Sequence, residues 1–269
     1  MMKNFNNFIR AIGFIPLVYW KFNFNGKKNV GDLFSLLIVQ KLSKLPIKYP
    51  IRYFPYRFYA VGSIINDTNL KYYGLYWGSG MLTHSVHKHI IPSKFLAVRG
   101  PLTRKSLLDA GYECPDVYGD PALLLPQFYQ PTFQKKYKIG VICHWRHRKY
   151  IICDPGVKFI DILRDEKNAW DFIDEICQCE MILSSSLHGI IIANAYGIPA
   201  RQFIFENIPL EGDPLKKFHD YYLSVHMPIQ TPLVFRRGAI LTESTNIEYN
   251  RTVDLKINTT LLQETFPFQ

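Results

Sequence analysis

Acidic residues and cysteines are scarce in this chain of 269 residues. Against 32 Lys and Arg there are 22 Asp and Glu, which gives a formal net charge of +10, and there are five cysteines. An odd number of cysteines with no export signal before them argues against a disulfide framework and favours reduced thiols in a cytoplasmic setting. We interpret Cys177 and Cys179, near the end of a helical pattern, as small buried residues and not as metal ligands.

Long apolar runs are missing as well. No segment reaches the ~18 to 20 apolar residues that a membrane-spanning helix needs. The best candidate, FIRAIGFIPLVYW at residues 8–20, contains Arg10 and Pro16 and lacks a small-residue cleavage site, so we do not expect a signal peptide. An interfacial segment is the interpretation that this stretch leaves open.

Acidic residues are rarest at the N-terminus. Residues 1–60 contain ten Lys and Arg but a single acidic residue, Asp32, and many aromatic residues lie between the basic ones. No nucleic-acid motif accompanies them, so we expect no nucleic-acid partner. A peripheral contact with an anionic membrane, at about 1 kcal/mol for each Lys or Arg, and a solvated basic face both stay open.

A metal site is not expected either. His84, His87 and His89 are close in sequence, but no second group of metal-ligating residues is suitably spaced from them. We interpret this cluster as a polar loop.

Apolar strands alternate with helical patterns along the chain. Strands are predicted at residues 59–65, 73–80, 95–98, 138–144, 159–163, 181–185 and 201–205. One helix is predicted to begin after Asp32 and another after Asn168, with these two residues as N-caps. A third helix is predicted to begin at Pro101, which suits a first helical position. Gly111 and Gly197 are predicted to end helices. This alternation predicts an α/β fold with doubly wound parallel sheets. The Pro- and Gln-rich residues 126–136 are the best linker, which predicts domains at 1–130 and 131–269.

In such sheets, ligands bind beyond the carboxyl ends of the strands. The loops expected there are residues 29–32, 78–80, 99–101, 144–148 and 184–189. The last loop, SSSLHG, begins a helix, whose unpaired N–H groups and dipole favour an anion. His188 titrates near neutral pH in its ordinary environment and is suited to proton transfer. The alternative to an anion site is that Ser186 only caps the helix and that His188 is a half-buried histidine with satisfied hydrogen bonds.

Several stretches resemble, in order, the motifs of the polysaccharide pyruvyl transferase family. They are NVGDLFS (29–35), VRGPLTRKSLLDAGY (98–112), GDPALLLPQFY (119–129), IGVICHWRHR (139–148) and the segment 162–200 that contains SSSLHG and AYGIPA. The resemblance implies a GT-B-like fold of two facing Rossmann-like domains, with the acceptor side in the first and the donor side in the second. It also implies transfer of a pyruvyl group from phosphoenolpyruvate to a sugar of a cell-surface polysaccharide, as a ketal, without a metal or other cofactor.

The resemblance also implies roles for individual residues. His188 is the implied donor-binding acid/base residue and Arg99 an implied anion ligand. The transfer chemistry also needs a base, for which Asp32 and Asp120 are our candidates, although a helix cap and a turn explain the two aspartates equally well. Some family members have an arginine where this chain has Ser186, so another cation must meet the donor's charge. Our candidates are Arg99, Arg146, Arg148 and Arg201, in that order. The full set of expected substrate-binding residues is Arg99, His144, Arg146, Arg148, Ser184, Ser185, Ser186, Gly189, Gly78, Ser79 and Arg201.

Two other functions stay open on the sequence. A GT-B nucleotide-sugar glycosyltransferase would share the fold and the anion site but would bind a nucleoside diphosphate. A non-catalytic scaffold at the membrane would explain the basic N-terminus alone. Under the pyruvyl transferase hypothesis we expect a cytoplasmic protein, peripheral at the inner face of the membrane if its acceptor is lipid-linked.

Overall fold

The structure is a computed structural model that describes residues 2–20, 25–65, 73–83, 86, 93–210, 212–245, 247–249 and 252–269. The predicted polar loop at His84, His87 and His89 lies outside these residues. Of the described helices, none combines the length and apolar character that crossing a bilayer requires.

The first half of the chain forms one parallel sheet with helices on its faces. Its elements are α1 (Met2–Ile12), β1 (Ile15–Val18), β2 (Lys28–Asn29), α2 (Val30–Leu42), β3 (Ile47–Lys48), β4 (Tyr56–Tyr59), β5 (Tyr73–Ser79), β6 (Lys94–Val98), α3 (Pro101–Asp109), a 3₁₀ turn (Pro121–Leu124) and α4 (Leu125–Phe128). The sheet has the order β3-β1-β4-β5-β6. Six of the seven residues of β5 are buried, as expected of a strand that is covered on both faces.

The second half forms another parallel sheet. Its elements are β7 (Tyr137–Ile142), β8 (Ile151–Cys153), β9 (Val157–Phe159), β10 (Leu163–Arg164), α5 (Asp171–Cys177), β11 (Cys179–Ser184), α6 (Leu187–Ala195), β12 (Ala200–Phe205), α7 (Pro214–Ser224), β13 (Leu233–Phe235), β14 (Ala239–Leu241) and α8 (Thr259–Glu264). The main sheet has the order β13-β12-β11-β7-β9, and β8 and β14 form a separate parallel pair. The chain is therefore a mixed α/β protein with parallel sheets, consistent with a Rossmann-like fold.

Close contacts join the two halves. One hydrophobic cluster contains Leu17 and Phe34 of the first half together with Ile142 and Ile190 of the second. Strand β2 pairs antiparallel with β10. The division at residue 130 stays a prediction, since residues 129–136 between the two sheets have no regular structure while these contacts cross the boundary.

The C-terminal segment returns to the first sheet. The Trp77 indole donates a hydrogen bond to the carbonyl oxygen of Leu262 over 2.8 Å. Phe266 packs against Trp77 with ring centroids 5.0 Å apart, and Phe268 packs against Phe58 at the same separation. Residues near 262–268 therefore complete the core of a sheet that is built from the chain's first hundred residues.

The structure corrects two predicted caps and confirms three helix boundaries. Asn29 caps α2, because its side chain accepts a hydrogen bond from the Gly31 amide at 2.9 Å, whereas Asp32 lies inside the first turn. Helix α5 begins after Trp170 and not at Asn168, whose amide bonds Asp165 instead. Pro101 occupies the start of α3, and Gly111 and Gly197 have positive φ angles at the ends of α3 and α6.

Two predicted strands are also corrected. The strand expected at residues 59–65 is β4, which ends at Tyr59, and the chain then turns through Gly62 with a φ of 122°. The strand expected at 159–163 is interrupted, because Phe159 ends β9 and Leu163 begins β10 in a different sheet. Both errors arise where an apolar run continues past the sheet edge into a loop that is itself buried.

Candidate active site

A cavity of about 220 Å³ lies between the two sheets, at the carboxyl ends of their strands. We call it the central cavity. It is lined from the first half by Trp20, Asn29, Asp32, Gly62, Ser63, Ile64 and Leu82, and from the second half by His144, Trp145, Arg146, Leu163, His188, Leu210 and Lys217. The structure thus brings together four of the residues that the sequence predicted for the site: Asp32, His144, Arg146 and His188.

His188 lies where the first turns of α2 and α6 meet. Its ring lies against the backbone of Gly31, so closely that a methyl group at Gly31 would come within 2.3 Å of the ring nitrogen Nδ1. Real Cβ atoms do not approach this closely, so only glycine fits at position 31 while His188 keeps this position. The Asn29 cap sets the start of α2 and thereby places Gly31 beneath the ring.

Asp120 lies on the other side of the His188 ring. Its Oδ2 is 3.6 Å from Nε2 of His188, and its Oδ1 accepts a hydrogen bond from the amide of Ala122. The carboxyl group is fully buried, and neither Oδ2 nor Nε2 has a hydrogen-bond partner among the described residues. The Asp120 carboxyl group therefore lies beside the imidazole, just beyond hydrogen-bonding distance of its Nε2.

Asp32 lies in the cavity wall near His188. Its Oδ1 accepts a hydrogen bond from the amide of Trp20 at 3.2 Å. Burial raises the pKa of Asp32 to about 7, and the nearby His188, the Trp20 amide and Lys28 oppose the rise. A carboxyl group with a pKa near neutral is suited to accept or donate a proton.

The three serines of SSSLHG shape the turn before α6. The Ser184 hydroxyl lies 2.8 Å from the carbonyl oxygen of Ser186 and accepts a hydrogen bond from the Ser186 amide. The Ser185 hydroxyl accepts a hydrogen bond from the amide of His144. Ser186 is the N-cap residue by position, but its side chain makes no capping hydrogen bond. Gly189 allows α6 to pack on Ser184, since a Cβ there would lie 2.3 Å from the Ser184 hydroxyl. None of these four residues lines the central cavity.

Arg99 is engaged inside the protein. Its side chain is 1% exposed, and it pairs with Asp220 of α7 at 3.2 Å and donates to the Ser63 hydroxyl at 2.7 Å. Asp220 also accepts from the amides of Leu102 and Thr103 in the first turn of α3. The ion pair therefore fixes α7 to α3 behind the cavity wall. Removing one of its two charges would leave the other buried without its partner, which typically lowers the free energy of unfolding by about 3–5 kcal/mol.

The other predicted cations and loop residues are also placed by the structure. Arg148 pairs with Asp161, and Arg201 is near the amino end of β12, where it donates to the carbonyl oxygen of Thr231. Gly78 has a φ of 79° and faces Pro121, and the Ser79 hydroxyl donates to the carbonyl oxygen of Ala60. Of the four predicted arginines, Arg146 lines the central cavity and the other three do not.

Lys217 is the cavity cation that sequence reasoning missed. It is 8% exposed, and burial together with Arg99 lowers its pKa to about 8, so it stays mostly charged at neutral pH. Among the described residues no carboxylate lies within ion-pairing distance of it. A signal was present in the sequence, because Lys217 shares a helical face with the apolar Phe218, Tyr221 and Val225, all of which are buried.

His144 faces the same part of the cavity. Burial lowers its pKa to about 3, and Lys217, His147 and Arg146 contribute to the shift. The imidazole is therefore neutral at physiological pH and acts as a hydrogen-bonding group and not as a cation. Lys217 and Arg146 are thus the lysine and the arginine that line the central cavity.

The chain is similar to several known proteins. Residues 14–203 match the polysaccharide pyruvyl transferase family. An uncharacterized protein of Acanthamoeba polyphaga mimivirus is 28% identical over 211 residues, which cover 72% of this chain and 69% of that protein. The succinoglycan biosynthesis protein ExoV of Rhizobium meliloti is 30% identical over 158 residues, which cover 49% of this chain and 47% of that protein.

A solved structure shows the same fold. A functionally uncharacterized protein from Klebsiella pneumoniae superimposes with a TM-score of 0.50 over 87% of this chain and 98% of that one, at 13% sequence identity. The shared region is therefore longer than either half of the chain.

We predict that the Asp32 carboxyl group makes stability depend on pH. Its pKa is raised from about 4 to about 7, so the folded state holds a proton that the unfolded chain releases between these values. Its contribution to stability is full below pH 4 and is lost as the pH rises through 7. The unfolding free energy of Asp32→Asn, relative to that of the wild type, should therefore grow by about 4 kcal/mol from pH 4 to pH 8.

Urea denaturation at a series of pH values measures this difference. Asp109→Asn is the control, because Asp109 is an exposed carboxylate that pairs with Lys105 on the surface. A difference between Asp32→Asn and wild type that stays constant with pH would contradict the prediction.

Proposed function

The chain belongs to the polysaccharide pyruvyl transferase family, and we propose that its central cavity transfers the pyruvyl group of phosphoenolpyruvate to two hydroxyls of a saccharide, as a ketal. Pyruvyl transfer to polysaccharide is the activity of the family. The observation that carries the finer proposal is the position of His188, held between Gly31 and Asp120 in a cavity that also contains Asp32, Arg146 and Lys217.

The cations of the cavity suit this donor. Phosphoenolpyruvate carries a phosphate and a carboxylate, and Lys217 and Arg146 supply two positive charges in the wall that also holds His188. Lys217 is largely buried, so its charge is weakly screened by water and interacts strongly with a bound anion. Arg146 supplies the planar fork that suits carboxylate and phosphate. The sequence candidates for this role were Arg99, Arg146, Arg148 and Arg201, of which Arg146 lines the cavity.

The proposed reaction needs one acid and one base. His188 donates a proton to C3 of the enol phosphate, which leaves C2 electron-deficient, and the first acceptor hydroxyl adds there as Asp32 takes its proton. Loss of phosphate, stabilised by Lys217 and Arg146, restores an electron-deficient C2, and the second hydroxyl adds to close the ketal. Of the two protons that the acceptor loses, one ends on C3 through His188 and the other leaves with phosphate. Asp120 orients His188 and does not act as the base.

The arrangement of the halves supports a GT-B-like interpretation. Two parallel sheets contribute their strand ends to one cavity, with Asp32 from the first and His188 from the second. This fits the expected division into an acceptor side and a donor side. No metal or other cofactor enters the proposed chemistry.

The N-terminal surface supports a contact with an anionic membrane from the cytoplasmic side. Trp20 is 53% exposed, Ile51 74% and Tyr53 83%, and Arg52 and Lys48 lie among these apolar side chains. Of these residues, Trp20 also lines the central cavity, so a lipid-linked acceptor would reach the cavity along Trp20.

We predict that His188→Ala lowers the rate of phosphate release from phosphoenolpyruvate, in the presence of acceptor, by about 10² to 10⁴-fold. The loss should appear in kcat, because the proton is transferred in the transition state. His219→Ala is the control, since His219 is on α7 outside the cavity. Full activity in a folded His188→Ala protein would refute the assignment.

We predict that Lys217→Met weakens phosphoenolpyruvate binding by roughly 10- to 100-fold, because one charged hydrogen bond to the donor is lost. Titration calorimetry measures the effect, and Lys216→Met, a change at the adjacent residue outside the cavity, should bind normally. Tight binding of a nucleotide sugar in place of phosphoenolpyruvate would instead favour a glycosyltransferase.

We predict that replacing both Ile51 and Tyr53 with Ser lowers binding to anionic vesicles by about tenfold or more, because two exposed apolar side chains no longer insert. Sedimentation with vesicles at low and high salt measures this, and high salt should weaken wild-type binding. The matched control replaces Val234 and Ile240, which are 60% and 61% exposed on other strands. Absence of wild-type binding at low salt, or equal losses in both double variants, would contradict the membrane contact.

A further inference from the structure

Helix α7 belongs to the second half of the chain but forms hydrogen bonds with both halves. The amide of Asp213, its N-cap residue, donates to the carbonyl oxygen of Leu82 in the first half over 3.1 Å. Farther along the helix, the Tyr221 hydroxyl accepts a hydrogen bond from the Asn194 side chain of α6, the helix that also contains His188. The position of α7 therefore sets where its side chains lie relative to His188.

Asp220 attaches α7 to the first half. Its side chain is 1% exposed and accepts hydrogen bonds from four donors among the described residues. These are the amides of Leu102 and Thr103 at 2.9 and 3.0 Å, the Thr103 hydroxyl at 2.6 Å and Nε of Arg99 at 3.2 Å. The two amides are in the first turn of α3, where N–H groups have no partner within the helix and the helix dipole favours a carboxylate. Asp220 thus fixes α7 at one position on α3.

Two glycines make this close approach possible. A Cβ atom at Gly100 would overlap the carbonyl oxygen of Asp220, and one at Gly80 would overlap the guanidinium group of Arg99. Either side chain would therefore displace the ion pair. The RGP sequence at residues 99–101 is thus explained by packing, because the arginine pairs with α7, the glycine admits the α7 backbone and Pro101 begins α3.

Lys217 lies three residues before Asp220 on α7, so the two side chains are neighbours on one side of the helix. The side of α7 that is anchored to α3 is therefore the side that brings Lys217 into the wall of the central cavity. Arg99 lies behind the same wall, since it donates to the hydroxyl of Ser63, another lining residue. After burial, the charge of Arg99 is the second cause that lowers the pKa of Lys217. The Asp220 carboxylate pairs with Arg99 and so reduces this repulsion.

We propose that Asp220 is a positioning residue for the donor site, which holds Lys217 in the wall of the central cavity. Asp220 does not line the cavity, and Arg99 acts through Asp220 and not as an anion ligand. This inference rests on the proposed function, because Lys217 is there a cation that binds the donor. An ion pair that only stabilised the fold would affect anion binding equally with and without Lys217.

A double-mutant cycle tests the inference. Asp220→Asn keeps the size of the side chain and one oxygen for the α3 amides but loses the charge, and it is made alone and together with Lys217→Met. Asp174→Asn is the matched control, because it makes the same change on α5, where Asp174 accepts from the Tyr129 hydroxyl away from the central cavity. Titration calorimetry measures the Kd of phosphoenolpyruvate and of inorganic phosphate for each protein, and urea denaturation checks that each protein is folded.

We expect Asp220→Asn to weaken the binding of both anions by about tenfold when Lys217 is present. In the Lys217→Met protein the same change should cost less than about twofold, because the residue through which Asp220 acts is already missing. Asp174→Asn should bind both anions normally. Equal losses with and without Lys217, or normal binding by a folded Asp220→Asn protein, would overturn the inference.

Asp220→Asn leaves the Arg99 charge buried without its partner, so a second variant covers a failure to fold. Arg99→Met combined with Asp220→Leu removes both charges, and apolar replacement of a whole buried pair is often tolerated. The same dependence on Lys217 is expected of it. A wild type that binds phosphate but not phosphoenolpyruvate would count against the proposed function, while the cycle with phosphate still decides the role of Asp220. Binding of neither anion would overturn the role of Lys217 and this inference with it.

Discussion

The contact between the His188 ring and the backbone of Gly31 joins the two halves of the molecule at the site. The first turn of α6 and the first turn of α2 approach so closely that the space between them is filled by one imidazole. Asp120 then closes the other side of the ring. A side chain at position 31 would displace the His188 ring from between α2 and α6. The glycine of the NVGD segment is thus a condition for this position of His188.

Desolvation governs the charges around this contact. The same burial raises the pKa of Asp32 to about 7 and lowers those of Lys217 and His144 to about 8 and about 3. Each shift makes the charged form less favourable than it would be in water. A bound polyanion reverses this for Lys217, because its negative charge favours the ammonium. A bound anion would therefore relieve part of the electrostatic cost of burying the Lys217 ammonium.

Local signals in the sequence predicted most of the fold. Apolar runs gave the strands, and Pro101, Gly111 and Gly197 marked helix ends, because each acts through its own backbone geometry. The cap of α2 could not be assigned locally, since Asn29 and Asp32 are both good capping residues within one turn of each other. The pair of Arg99 and Asp220 joins residues 121 positions apart, so nothing near Arg99 indicates that its charge is already engaged. Lys217 was missed because a lysine on an apolar helical face is unusual and was not weighed as a ligand.

The return of the C-terminal segment to the first sheet links the fold to the order of synthesis. Trp77 and Phe58 are in strands that leave the ribosome early, but Leu262, Phe266 and Phe268, which cover them, follow roughly 200 residues later. At the usual ~5–20 residues per second, that delay is about 10 to 40 seconds. During this interval the nascent first sheet exposes aromatic surface that its own residues cannot bury. The first sheet therefore reaches its final packing only after the C-terminal segment has been synthesised.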